Sequence, residues 1–251
     1  MPGFVSYIPI ATTTVAIVFS IVLFRRWRER GGLHLMWWGL GALTFAAGTI
    51  TESLTTLTGW HEGVFRAWYI TGALLGGAPL AQGSVYLHLP RRAANRLTVA
   101  LVSAIVVASA CVLLSPIHYD RVEPYHLTGK VFVWTWVRAF SPFINTYAVI
   151  FLIGGALRSA WQFSKSRDTW HRFVGNVFIA VGAILPGIGG TFTRFGHTEV
   201  LYVTEFIGLS MIIVGYRYNV GATASSRSSV VGGRLSDLRA EQGGAGLRTG
   251  N

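Results

Sequence analysis

The sequence predicts an all-α membrane protein, a bundle of seven transmembrane helices with its N-terminus outside and its C-terminus in the cytoplasm. Three observations predict it. Hydrophobic residues make up 51% of the 251 positions and charged residues only 12%, against about 25% charged in a soluble domain. The apolar residues fall in long runs rather than in alternation, which is the signature of helices in hydrocarbon. The basic residues cluster between those runs, mostly on one side of them.

Seven apolar segments are legible, at about 4–24, 34–57, 66–89, 97–115, 138–158, 173–193 and 199–217. At 1.5 Å rise per residue each covers roughly 30 Å of hydrocarbon. Helix bundles and closed barrels are the two architectures that satisfy backbone polar groups in lipid, and these runs are too long for barrel strands. The first run precedes Arg25, Arg26, Arg28 and Arg30. A cleavable signal has the reverse order, so this segment is expected to stay as an N-out helix.

Loop charge sets the orientation. Sixteen basic residues follow segments 1, 3, 5 and 7, and five lie on the other side: Arg66, Arg121, Lys130, Arg138 and Arg194. The richer side is expected to be cytoplasmic. Tryptophan gives an independent reading. Trp27, Trp37, Trp38, Trp161 and Trp170 lie near the inner boundary and Trp60, Trp68, Trp134 and Trp136 near the outer one, as interfacial belts require. The net charge of +11 is thereby assigned to membrane topology rather than to nucleic acid, and the expected location is a cell membrane with the lipid bilayer as partner. Cys111 is the single cysteine, so an intrachain disulfide is excluded.

The longest outer connection, about 116–137, contains His118, Asp120, Glu123, Tyr125 and His126. Its end, KVFVWTW, reads either as an interfacial helix or as an extension of the fifth segment. Residues 219–251, rich in Gly, Ser and Arg, read as a disordered cytoplasmic tail to which a protein partner could bind. The membrane domain is then 1–218.

An internal repeat is suggested. A shift of 133 lays Pro9 on Pro142, Thr13 on Thr146 and Arg25 on Arg158, and a shift of 141 lays Gly41 on Gly182 and Gly48 on Gly189. Segment 4 has no counterpart, which gives a 3+1+3 parallel arrangement of the kind known in carriers. In topology, in this suspected repeat and in Pro186 of segment 6, the chain resembles SWEET-type seven-helix transporters. It departs from them in having Phe45 and no proline in segment 2, and in lacking their Pro-Gln dipeptide. It also resembles, in length and orientation, the seven-helix sensor regions attached to bacterial histidine kinases. Neither resemblance rests on a motif that transfers functional residues.

Ionisable groups inside membrane helices cost at least a few kcal/mol and point to function by default. Glu52, Arg138, Arg194 and Glu205 are such groups, all expected in the outer third of the bundle. Glu205 leads, about two turns inside segment 7, with Tyr202 three residues before it on the same face. With Asn145 of segment 5 they form the expected ligand site. The acids could hold a cation, a proton or a ligand amine, or they could be ion-paired to Arg194 or Arg138. Gln82, Tyr86 and Asn176 would continue a polar pathway inward. The runs Gly76-Gly77-Ala78-Pro79 and Pro186-Gly187-Ile188-Gly189-Gly190 offer either hinges or close helix contacts.

His34, His88 and His171 fall near the inner boundary and are the weak candidates for a metal or haem. None is spaced as a helical pair, so no metal or cofactor is expected. A retinal Schiff base needs a lysine in segment 7, and the only lysines are Lys130 and Lys165. The nucleophile-elbow, phosphate-loop and zinc-protease patterns are missing, so an enzyme is not expected. The leading expectation is a protein that binds and transports a small polar solute through an outward-facing polar site. The alternatives are a sensor signalling through a cytoplasmic partner and a non-catalytic scaffold.

Overall fold

The computed structural model describes residues 4–125 and 127–220, apart from the side chain of Arg194. Most of the tail expected at 219–251 therefore lies outside the described residues, and 219–220 belong to the last helix.

The described residues are mostly helical, and the 116–137 connection contains an antiparallel bridge, Ile117 to Phe132. Helix α1 (Ile8–Arg30) carries Pro9 in its first turn, where a missing N–H costs nothing, and stops at Gly31, φ 68°. Helix α2 (Leu33–Thr58) stops at Gly59, φ 83°, whose N–H bonds the Thr55 carbonyl at 3.0 Å. Helix α4 spans Arg91–Leu114, α5 Thr135–Phe163, α6 Trp170–Phe192 and α7 Thr198–Val220.

The third apolar segment differs from expectation. It runs from Glu62 to His88 as α3, but in pieces: an α-helical turn Glu62–Trp68, a π-helical stretch Tyr69–Leu75, a break at Gly76-Gly77, and an α-helix Ala78–His88. Pro79 explains the break. Its ring would collide with the carbonyl four residues back in a continuous helix, and Gly76 takes φ 39° to step around it. Among the described residues, six helices are long and apolar enough to cross a membrane, and the broken α3 is not one of them. Their outward faces carry large exposed apolar side chains such as Val99, Val106, Leu114 and Phe143, which suit contact with lipid.

Other boundaries moved for local reasons. Helix α4 begins at Arg91, directly after Pro90, so Arg92 and Arg96 lie inside it. The KVFVWTW stretch divides: Thr135 and Trp136 open a 3-10 turn leading into α5, whereas Phe132 lies in the bridge.

Small residues set the packing. On α6, Gly175, Gly182 and Gly189 repeat every seven residues against Gly215, Gly208 and Leu201 of the antiparallel α7. A Cβ on Gly182 would stand 2.5 Å from the Gly208 carbonyl oxygen, and one on Gly208 would stand 2.6 Å from that of Gly182. Pro186 has no N–H to give the Gly182 carbonyl, and that carbonyl instead faces the bare Gly208. Helix α2 uses the same device: Gly41 receives Leu80, and Gly48 lies against Gly72 of α3. A hydrogen bond between Thr13 and Thr49 (2.8 Å) and one from Ser20 to the Gly39 carbonyl (2.9 Å) join α1 to α2.

Helices α1, α2, α3, α5, α6 and α7 surround a central cavity, and α4 contributes no residue to it. That fits a linker outside the working bundle. The interruptions do not follow the suspected repeat: α3 and α5 carry π-helical stretches, whereas their proposed counterparts α7 and α1 run without one. Over one end of the bundle the 116–137 connection folds into a cap, with Val131, Phe132 and Val137 packed on Phe65, Tyr69 and Val112.

Candidate functional site

The central cavity has a volume of about 680 Å³, within the usual range for small-molecule sites. Its cap end is polar and its other end apolar. The glycines that let α2 approach α3 also expose backbone here: Gly48, Gly72, Gly76 and Gly77 all face the space. Residues 127–130 of the cap reach over the mouth, where Gly129 lies so near Tyr69 that a Cβ would stand 2.9 Å from the ring.

Glu52 and Glu205 define the polar wall. Glu52 is buried, at 3% exposure, and its Oε1 accepts the Trp68 indole N–H at 3.0 Å. Glu205 of α7 lines the same cavity, and its carboxyl group lies close enough to that of Glu52 to interact with it. On each acid Oε2 is shut off from solvent without a hydrogen-bond partner. Among the described side chains neither acid has a basic partner; the ion pairs there are Arg66–Glu62 and His118–Asp120. Of the two alternatives, an ion pair to Arg194 or to Arg138, the second is not formed, and the first falls on a side chain outside the described residues. The two acids lie close together, and Arg138 stands at the mouth near Gly129. Glu52 does not reach to water, being buried against Trp68.

Asn145 lines the cavity as expected, with its amide N–H groups held by the Ala73 carbonyl (3.0 Å) and the Ser141 carbonyl (2.9 Å). Ser141 bonds the same Ala73 carbonyl at 2.6 Å. The π-helical turn of α3 leaves that carbonyl for α5 to satisfy, as buried backbone requires. Tyr202 lies outside the lining and is bonded to Thr56 of α2 instead. Arg194 begins the turn after α6, and its side chain is outside the described residues.

Gln82, Tyr86 and Asn176 do not line the cavity. Gln82 is completely buried between α3, α4 and α5, where its amide donates to Thr98 Oγ1 (2.7 Å) and its carbonyl accepts the Tyr147 hydroxyl. Tyr86 closes that network on Asn95 and Thr98. Asn176 ties α6 to Asn219 of α7. Their polarity is spent on helix contacts, and the inward lining of the cavity is Phe19, Leu80, Leu152, Leu209 and Ile212.

The histidines are likewise apart. His88 bridges the Ser84 carbonyl (2.8 Å) and the Ser159 hydroxyl (2.9 Å), and His34 stacks edge-on against Trp38. Among the described residues no three His, Cys, Asp or Glu side chains gather as metal ligands.

Three lining features escaped the sequence reading. Trp68 was legible only as an interfacial tryptophan, Lys130 only as a loop cation, and Thr49 not at all. All three face the cavity. Their roles depend on contacts between elements, for which the local sequence has no signal. Compared with family models, with curated proteins and with solved structures, the chain matches none of them.

Proposed function

We propose that this chain spans the membrane seven times, with α3 as the seventh crossing, and binds and carries a small solute presenting a cationic group. The proposal rests on one observation: Glu52 and Glu205 face each other on a cavity of about 680 Å³ with two buried oxygens left unpartnered. Buried acids are stable beside a cation or a proton, and the protein supplies no described basic partner. With N-out orientation the cavity opens on the outer face beneath the 116–137 cap.

Carriage, rather than binding alone, is supported by where the helices are weak. The Gly76-Gly77 break of α3, the π-helical residues Val149 and Ile153 of α5, and Pro186-Gly187 of α6 all face the same cavity. Interrupted helices around a central site are what alternating access requires. A second reading, a sensor acting through a cytoplasmic partner, is favoured by the apolar inner lining, which offers no polar route onward.

The test is a thermal-stability screen of the detergent-purified protein against organic cations, amino acids, sugars and organic acids. Binding to the folded state raises the melting temperature by mass action. Cations are expected to stabilise the protein, and Glu205→Gln is expected to remove the effect. Equal stabilisation of wild type and variant would reject the site. Uptake into proteoliposomes then separates a carrier from a sensor.

A further inference from the structure

Resting on that reading, we infer that the Glu52–Glu205 pair holds one proton when the cavity is free, and that an organic cation with an apolar body displaces it, so that the protein exchanges solute for proton. The geometry carries this. Both carboxyl groups belong to the wall of one cavity, close enough to interact, and each has its Oε2 shut off from solvent. Two carboxylates in contact in a medium of low dielectric do not both keep their charge; one takes a proton unless a cation compensates them.

The surroundings contain no other compensating group among the described side chains. From α3, Trp68 donates one neutral N–H to Glu52. From α2, Thr49 is engaged with Thr13 of α1, and Thr56 with Tyr202 of α7. Glu199, at the start of α7, adds negative charge near Tyr202. The cations facing the cavity, Lys130 of the cap and Arg138 of α5, are exposed at the mouth. Charge there is screened over about 8 Å in physiological salt. From α6 and the turn after it, the described lining is Ala183, Pro186, Gly187, Gly190, Thr191 and Thr193, all uncharged; the Arg194 side chain is outside the described residues.

The rest of the lining sets the ligand class. Phe45, Leu80, Leu152, Leu209 and Ile212 offer hydrocarbon, and the volume of about 680 Å³ exceeds what an inorganic ion needs. An ammonium or phosphonium group buried among aryl or alkyl substituents matches both the acids and the walls. The exchange balances: one proton leaves the carboxyl pair for water as one positive charge arrives, and the pocket keeps its net charge.

The experiment uses the full chain in detergent, in weak buffer near neutral pH, titrated with tetraphenylphosphonium chloride while a pH-indicator dye reports protons. About one proton released per cation bound is expected, with affinity rising towards tenfold per pH unit where the pair is protonated. Glu205→Gln and Glu52→Gln should each abolish the release. Binding with no proton release and a flat pH profile overturns the exchange and leaves the binding site standing. No binding at any pH overturns both. Release that persists in both variants overturns the assignment to this pair. If a variant fails to fold, the wild-type proton count decides alone.

Discussion

The Trp68 indole nitrogen lies 3.0 Å from Glu52 Oε1, and this hydrogen bond fastens α3 to α2 on the wall of the cavity. It spans sixteen residues of sequence and orients the Glu52 carboxyl from a neutral donor. Trp68→Phe keeps an aromatic ring there and removes the donor. A loss of about 1–3 kcal/mol in stability is expected for a buried acceptor left unmade, together with weaker cation binding. A variant that melts and binds as wild type does would show that Trp68 serves packing alone.

Removing one acid distinguishes a carboxyl pair from an ion pair. If Glu52 and Glu205 share one proton, Glu52→Gln or Glu205→Gln puts a neutral group where a protonated carboxyl can stand, and the melting temperature should stay level or rise while cation affinity falls at least about tenfold. An acid paired to a buried arginine would behave oppositely, costing about 3–5 kcal/mol when removed. Melting curves of the two purified variants decide between them.

The α6–α7 seam should be intolerant of any side chain at its centre. In Gly208→Ala the new Cβ would stand 2.6 Å from the Gly182 carbonyl oxygen and 3.0 Å from Pro186 Cδ. Backbone and ring cannot swing away as a flexible side chain can. A cost of about 1–3 kcal/mol is expected from overpacking, read as a lower melting temperature. Gly187→Ala is the control, because nothing stands within 4 Å of its Cβ position.

Gly76→Ala tests the break in α3. Its φ of 39° is poorly suited to a side chain, and the added Cβ would lie 2.8 Å from Asn145 Oδ1. About 1–2 kcal/mol is expected from the backbone alone. Relief of that strain would disturb the Asn145 bond to the Ala73 carbonyl and so the cavity wall. Faster hydrogen exchange across 69–79 would report it; unchanged exchange with unchanged stability would argue that α3 tolerates continuity.

Acid should loosen the cap. Glu62, at the outset of α3 and before its apolar stretch, accepts from the Tyr119 hydroxyl and from Arg66 Nε at 2.8 Å. The Tyr119 hydroxyl first, and Arg66 second, hold its carboxyl below the ordinary glutamate range. The same bond pushes the Tyr119 hydroxyl above its ordinary value. A depressed carboxyl contributes stability that is present above its unfolded pKa and is lost as pH falls through the folded one. The link between the cap and α3 is therefore expected to hold at neutral pH and to weaken below about pH 4. Glu62 is only partly buried, so the effect is local: Tyr119 fluorescence should shift with acid in wild type and not in Glu62→Gln.

Much of this protein was legible along the chain. The apolar runs located six long apolar helices, because hydrophobic length is a property of local sequence that lipid reads directly. Glu52, Glu205, Arg138 and Asn145 were found for a similar reason: a polar group in an apolar run stands out wherever the run is folded. Gln82, Tyr86 and Asn176 stood out equally, and there the signal misled. A buried polar side chain needs partners, and a sequence cannot tell partners supplied by neighbouring helices from a ligand.

The sequence by itself determined the helical class, the apolar segments and the short set of acids too costly to bury without purpose, since each follows from transfer between water and hydrocarbon one residue at a time. Only the tertiary structure decided that α3 breaks at Gly76, that α4 stands outside the cavity, and that Glu52 lies beside Glu205 and not beside Arg138. Those outcomes depend on which backbones approach closely enough, at Gly48 and Gly72 or at Gly182 and Gly208. Close approach is a joint property of two helices distant in sequence, set by small residues and packing geometry, and no single segment contains it.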